Sequence, residues 1–185
     1  VANQNDFEKA FSFTVGEEGA FDKSLEDRGN WTSGIVGQGE LKGTKFGISA
    51  ASYPNLDIEN ITLDQAKTIY LANYWTKLNA SYFPGSIAGA LFDTAVNQGP
   101  EKAIKLMQMC INTEADGKFG PYSQVAFTHA LEVLGENGIL AAFIAARQTD
   151  YANDSEWSVD GRGWILRTTS YITQWKNGVL NASQS

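Results

Sequence analysis

A chain of 185 residues, 43% hydrophobic and 12% aromatic, has enough apolar mass for one core or for a core split into two lobes. Its net charge of −7 and the lack of a basic stripe argue against nucleic-acid binding, since affinity for a phosphate backbone comes mainly from Lys and Arg. A single cysteine, Cys110, excludes an internal disulfide framework and a multi-thiolate metal site, and a single histidine, His129, excludes a His-rich zinc centre.

Along the chain, Phe7, Phe11 and Val15 recur every four positions and predict a helix from Asn5 to Glu17. If that helix persists, Glu18 returns to within ~20° of the aromatic face at ~100° per residue. From Phe21 to Ile48 the character changes: Gly34, Gly37, Gly39 and Gly43 punctuate a stretch that reads as short strands and turns. Thr62 with Gln65 forms a capping box that opens a helix through Ala66, Ile69, Tyr70 and Tyr74. A further helix is predicted from about Ser86 to Asn97, and Gly99-Pro100 ends it and starts the next, which carries Met107 and a buried Cys110. Pro121 opens a helix to about Leu134, Ile139 to Tyr151 mark a long one after it, and Trp164, Arg167, Tyr171 and Trp175 trace the last. The longest apolar runs, such as Ile139 to Ala146, fall short of the ~20 residues that span a bilayer. The chain opens without a charged-then-apolar leader, which predicts synthesis in a bacterial cytoplasm.

Most local motifs have an ordinary reading. Asn112, Glu114, Asp116 and Gly117 imitate the first half of a calcium loop, but Ser123 stands where a bidentate Glu is required. The run Asp116 to Pro121 therefore predicts a turn into the next helix. His129 is expected on a helix surface. Two acids stand out for a different reason. Cleaving a glycosidic bond needs one carboxylic acid kept protonated for the leaving oxygen and one carboxylate kept ionised to activate water or attack the sugar. Glu18, at the end of an aromatic-faced helix, suits the first role, because desolvation disfavours its charged form. Asp27, in a polar turn beside Arg28, suits the second. Two acids among twenty-one are, as a rule, solvated surface charges, and this pairing alone does not choose between the readings.

A series of short motifs does choose. Glu18-Gly19-Ala20-Phe21, Asp27-Arg28-Gly29 and Thr44-Lys45-Phe46-Gly47-Ile48-Ser49 are followed in order by Leu63 to Ala66, Tyr74-Trp75, Phe92 to Pro100, Asp116 to Pro121 and Gly163 to Arg167. The series resembles the glycoside hydrolase family 108 muramidases, lysozyme-like endolysins and cell-wall secretion activators, over roughly residues 7 to 176. The resemblance implies a mainly α, lysozyme-like fold in one catalytic unit over 1–185. A small Gly-rich β-hairpin lobe at 21–49 and a helical, peptidoglycan-contacting lobe at 86–176 would flank a cleft. It implies hydrolysis of the β-1,4 bond between N-acetylmuramic acid and N-acetylglucosamine, with Glu18 as general acid and with Asp27 and Thr44 holding the attacking water. It further implies a monomer acting on peptidoglycan strands in the cell wall, with no metal and no organic cofactor.

Three departures from the family pattern stand out. Ala20 and Phe21 replace Gly and Tyr, the chain is acidic, and Asn30 to Gly43 is inserted where the family passes almost directly from its Gly pair to its Thr. Thr32 is thereby a rival to Thr44, which is preferred because Lys45 to Ser49 completes its motif. Four further side chains are candidate sugar contacts, each with an ordinary alternative: Asn97 and Gln98 as N-acetyl donors or helix caps, Tyr74 as a stacking platform or packing residue beside a core Trp75, and Trp31 as a sugar contact or hairpin core.

Overall fold

The computed structural model describes residues 1–16, 20–154 and 157–182, and omits the side chains of 157–159 and 175–182. Helix α1 (Gln4–Thr14) begins on a reciprocal cap. Asn3 Oδ1 accepts the amides of Asn5 and Asp6 at 2.8 and 3.3 Å, and Asp6 Oδ2 accepts the Asn3 amide at 2.9 Å. The helix stops at Thr14, three residues before the predicted end at Glu17, and Gly16 follows in the left-handed region at φ 78°. Helical phase therefore does not extend to Glu18, which lies outside the described residues.

The chain forms two compact units, Phe11–Asn73 and Val1–Ala10 with Tyr74–Ser185. The first contains an antiparallel hairpin of β1 (Thr44–Lys45) and β2 (Ile48–Ser49), in which Thr44 pairs with Ser49 and Lys45 with Ile48. Its loop residues, Phe46 and Gly47, have φ of 51° and 70°, the positive pair that a two-residue type I′ turn requires. Tyr70, at the end of α2 (Leu63–Tyr70), donates its hydroxyl to the Phe46 carbonyl at 3.0 Å. The predicted capping box of α2 is present: Thr62 Oγ1 accepts from Gln65 N at 3.2 Å and Gln65 Oε1 from Thr62 N at 2.9 Å. Phe11 packs edge-on against Tyr70 with ring centroids 5.5 Å apart. The stretch from Gly34 to Gly43 forms turns, with one isolated bridge between Trp31 and Leu41, where short strands were expected. Its glycines at positive φ bend the backbone too often for a ladder to propagate.

Gly43 is the tightest of these positions. Its φ is 86°, and a Cβ there would stand 2.5 Å from the Asp22 carbonyl oxygen and 2.6 Å from the Phe21 ring. The left-handed backbone alone costs a non-glycine residue about 1–3 kcal/mol, and the clash with main chain adds to it. Gly43→Ala should therefore lower the thermal midpoint by several degrees, and an unchanged melt would show that the turn can rearrange.

The other unit is helical. α3 (Gly85–Gln98) is buried on every side from Ser86 to Ala95, as a central core helix should be, and packs on α4 (Pro100–Cys110) and on α5 (Pro121–Ala152). Pro100 and Pro121 occupy first-turn positions as predicted. α5 is broken at Gly135, at φ 67° and ψ 172°, so its two halves match the two helices read from the sequence. By length and composition α5 is long and apolar enough to cross a membrane, with 28% of its apolar window buried within the fold. α6 (Trp157–Ala182) packs on α5. Phe83, Phe119 and Phe127 form one aromatic cluster, with centroids 4.6–6.2 Å apart. Phe7, Trp75 and Phe92 form another at 5.4–5.8 Å, so Trp75 is core. Met107 is buried, but Cys110 is only half-buried: it lies near the exposed end of α4, beside Met109 at 62% exposure. His129 is exposed, as expected.

A buried ionic hub crosses this unit. Asp93 on α3 accepts Arg147 Nη1 from α5 at 2.6 Å and Arg167 Nε from α6 at 2.9 Å, with a further bond from Arg167 Nη2. Arg147 is completely buried and its remaining donors reach Tyr151 Oη, from Nη2 at 2.6 Å and from Nε at 2.9 Å. The result is a mainly α fold with a small Gly-rich hairpin, as the sequence predicted.

Candidate active site

Asp27 precedes a short 3₁₀ turn, Arg28–Asn30, and caps it: its backbone is extended and Oδ1 accepts the Gly29 amide at 2.7 Å. The carboxylate is exposed. Gly29 separates it from the hairpin, because a Cβ on Gly29 would lie 3.2 Å from Asp27 Oδ1 and 3.7 Å from Ser49 Cβ. The Gly29 carbonyl also accepts the Ala51 amide at 3.0 Å. Thr44 is directly opposite Ser49 in the hairpin register, so Asp27, Ser49 and Thr44 share one neighbourhood. Thr44 is half-buried and held from its other side by Asp22, with the two residues exchanging amide-to-carbonyl bonds at 2.8 and 2.9 Å.

The inserted loop does not break this arrangement, and Asn30 is the reason. Asn30 is wholly buried, and its carbonyl accepts the amides of Lys42 and Gly43 at 2.9 and 3.1 Å. The two ends of the insertion are thus tied together and residues 31–42 loop outward. Chain that is distant in sequence is brought back to a close spatial approach, as closing a loop of this length costs little more than closing a shorter one. Asn30 Nδ2 also donates to Asp22 Oδ2 at 2.8 Å and to the Ser24 carbonyl at 3.0 Å. The Asn30 bond, with the Ser24 amide, holds the Asp22 carboxyl below the ordinary carboxylate value. The rival Thr32 is engaged inside the loop, where its hydroxyl accepts the Glu40 amide at 2.9 Å. Among the described residues no hydrogen bond engages the Thr44 hydroxyl.

The other candidates are distributed over both units. Trp31 is half-buried in the hairpin unit and donates Nε1 to the Leu25 carbonyl at 3.0 Å. Tyr74 lies in a single π-helical turn, Leu71–Trp75, with its ring 6.4 Å from Phe92 in the helical unit. Asn97 donates to the Asp93 carbonyl one turn back at 2.6 Å. Gln98 donates Nε2 to Asp150 Oδ2 at 2.9 Å, while its Oε1 is buried with no hydrogen-bond partner among the described residues. Asp116 accepts from Lys118 N and Gln108 Nε2, at 2.8 and 2.7 Å, in the expected turn before α5.

The exposed Asp27 carboxylate caps the turn at Gly29, and Gly29 in turn lies next to Ser49, the hairpin partner of Thr44. Comparison with known families gives this a context: the family model described as Glycosyl hydrolase 108 matches residues 11–99. Over this segment the chain is similar to glycosyl hydrolase family 108. The matched segment contains Glu18, Asp27 and Thr44 and ends one residue after α3. The matched model is that of a family of glycoside hydrolases. A solved structure titled "Structure of Brucella abortus SagA" is similar over 93% of this chain and 94% of that one, with 23% identity and a TM-score of 0.72. That likeness bears on the fold, which is lysozyme-like and mainly α. A search of curated proteins finds no significant match.

Sequence reasoning overlooked Asn30 and Asp22, which tie the ends of the insertion and the turn before it to Thr44 and its neighbours. Asn30 had a signal, since it stands at the very start of the insertion, but its role depends on a carbonyl meeting amides twelve and thirteen residues away.

Proposed function

We propose that this chain is a family 108 glycoside hydrolase, a muramidase that cleaves the β-1,4 bond between N-acetylmuramic acid and N-acetylglucosamine in peptidoglycan. Glu18 gives its proton to the leaving oxygen. Asp27, with Thr44, orients and deprotonates water on the opposite face of the sugar, which inverts the anomeric centre. The observation that supports this reading is the neighbourhood of Asp27 and Thr44 about Gly29 and Ser49, within the segment matched to the family. The polymer is met in the cell wall, after the protein leaves the cytoplasm, and a monomer suffices because both hairpin residues come from one chain.

Product analysis tests the reading. Digestion of purified cell wall should release fragments with reducing N-acetylmuramic acid ends, and proton NMR at early times should show the α-anomer first. Products ending in 1,6-anhydro sugars would instead mean a lytic transglycosylase, and cleavage of chitin with no action on cell wall would mean a chitinase.

A further inference from the structure

The hairpin that carries Thr44 is two residue pairs long, Thr44 with Ser49 and Lys45 with Ile48. A hairpin of that size is marginal on its own, so its geometry depends on what it is tied to. At the Thr44 end the tie is Asp22, through their exchange of amide-to-carbonyl bonds. At the other end the chain itself resists the turn. A two-residue type I′ turn favours Asn, Asp or Gly at its first position, yet Phe46 stands there at φ 51°. A bulky side chain in the left-handed region is an outlier that persists only where its surroundings hold it, and such residues gather at functional sites.

Tyr70 supplies that hold. It is buried at the last position of α2, and its hydroxyl donates to the carbonyl of Phe46 itself at 3.0 Å. The same oxygen lies against the next residue, since a Cβ on Gly47 would stand 2.5 Å from it. One hydroxyl is therefore packed on both residues of the turn. The Tyr70 ring is fixed separately, edge-on against Phe11. Lys45 adds a further tie by donating Nζ to the Glu59 carbonyl at 2.9 Å, but that bond acts on the strand and not on the backbone of the turn. All of these residues belong to the Phe11–Asn73 unit.

We propose that Tyr70 is a positioning residue for hydrolysis: by holding Phe46 left-handed, its hydroxyl fixes the hairpin on which Thr44 stands opposite Ser49, and so sets where the Thr44 side chain meets the attacking water. This rests on the muramidase reading, in which Asp27 and Thr44 orient that water. Tyr70 acts through the hairpin and not on the sugar. Loss of the hydroxyl should therefore slow turnover and leave substrate binding alone. The hydroxyl should also become dispensable once the turn is given a residue that takes the left-handed conformation unaided.

Kinetics of the whole chain on soluble glycan fragments of cell wall, at a temperature where circular dichroism shows each variant folded, test the proposal. Tyr70→Phe keeps the ring and its packing on Phe11; its kcat should fall roughly tenfold, with KM within about twofold of wild type. Thr44→Val should lower kcat by itself, and adding Tyr70→Phe to it should lower kcat no further, because the two losses are one. Phe46→Asn, which suits the turn, should return the kcat of Tyr70→Phe to within roughly threefold of wild type. Amide exchange at Ile48 needs no turnover; it should quicken about tenfold in Tyr70→Phe and slow again with Phe46→Asn. An unchanged kcat in folded Tyr70→Phe, losses that multiply in the double variant, or no rescue by Phe46→Asn would overturn the proposal. Should Tyr70→Phe alone not fold, its combination with Phe46→Asn must fold and turn over near the wild-type rate, and failure on either count overturns it as well. A wild type that cleaves no cell wall would defeat the muramidase reading, whereas unaltered Ile48 exchange in Tyr70→Phe would defeat the role of Tyr70 alone.

Discussion

Asp27→Asn should reduce turnover of purified cell wall by about 10²–10⁴-fold while moving the thermal midpoint little. Asparagine keeps a side-chain oxygen that can accept the Gly29 amide, the bond that caps the 3₁₀ turn at 2.7 Å, and Asn caps such turns as well as Asp does. What it loses is the negative charge needed to take a proton from water. The carboxylate is exposed and makes no ion pair among the described residues, so its removal leaves no buried partner stranded. Activity and stability should therefore separate, as measured by dye release from labelled cell wall and by thermal melts of the same preparation. Glu18→Gln should match it in depth, through loss of the proton donor. Glu17→Gln should remain near wild type. Wild-type activity in Asp27→Asn would remove Asp27 from the mechanism, and a deep loss in Glu17→Gln would mean the acid has been assigned to the wrong neighbour.

The largest effect on stability should come from Asp93→Asn. Arg147 is fully buried and reaches only Asp93 and Tyr151 Oη through the bonds described, so neutralising Asp93 leaves a guanidinium in the core without its counter-charge. Breaking one partner of such a buried pair costs about 3–5 kcal/mol, which for a chain of this length corresponds to a fall in Tm of roughly 10 °C or more. Desolvation by burial pushes the Asp93 carboxyl upward, but the bonds and charges of Arg167 and Arg147 outweigh it and hold the carboxyl below the ordinary value of 3.8. The unfolded chain therefore binds a proton at this group more readily than the folded one does. Stability from the ionised hub is complete above about pH 4 and is lost as the pH falls through the lower, folded value. Urea titrations should show a wild type weakening from about pH 4 downward, with that component missing in Asp93→Asn. Equal stability of the two proteins at neutral pH would show that the hub contributes nothing net.

Much of this protein is legible in local sequence. Thr62 and Gln65 announced a capping box, and Pro100 and Pro121 announced helix starts, because each acts through atoms within a few residues. The motif order around Asp27 and Thr44 likewise resembles the hydrolase family whose model matches residues 11–99. Other features were misread for want of a non-local term. The helical phase that carried the first helix to Glu17 was interrupted at Thr14, ahead of a glycine at positive φ. Cys110 was placed in the core by its residue type, while its position at the last turn of α4 leaves it half-exposed.

By itself, then, the sequence determined the helix starts and the resemblance to a hydrolase family, since spacing, motif order and short-range capping are written along the chain. Only the tertiary structure decided that Asn30 closes the insertion and returns Asp27 to the side of Ser49 and Thr44. Only it decided that Asp93 joins Arg147 and Arg167, and that the Gln98 amide donates to Asp150. The physical reason is common to all three: each depends on which buried donor finds which acceptor, and those partners stand from 12 to 74 positions apart in the chain.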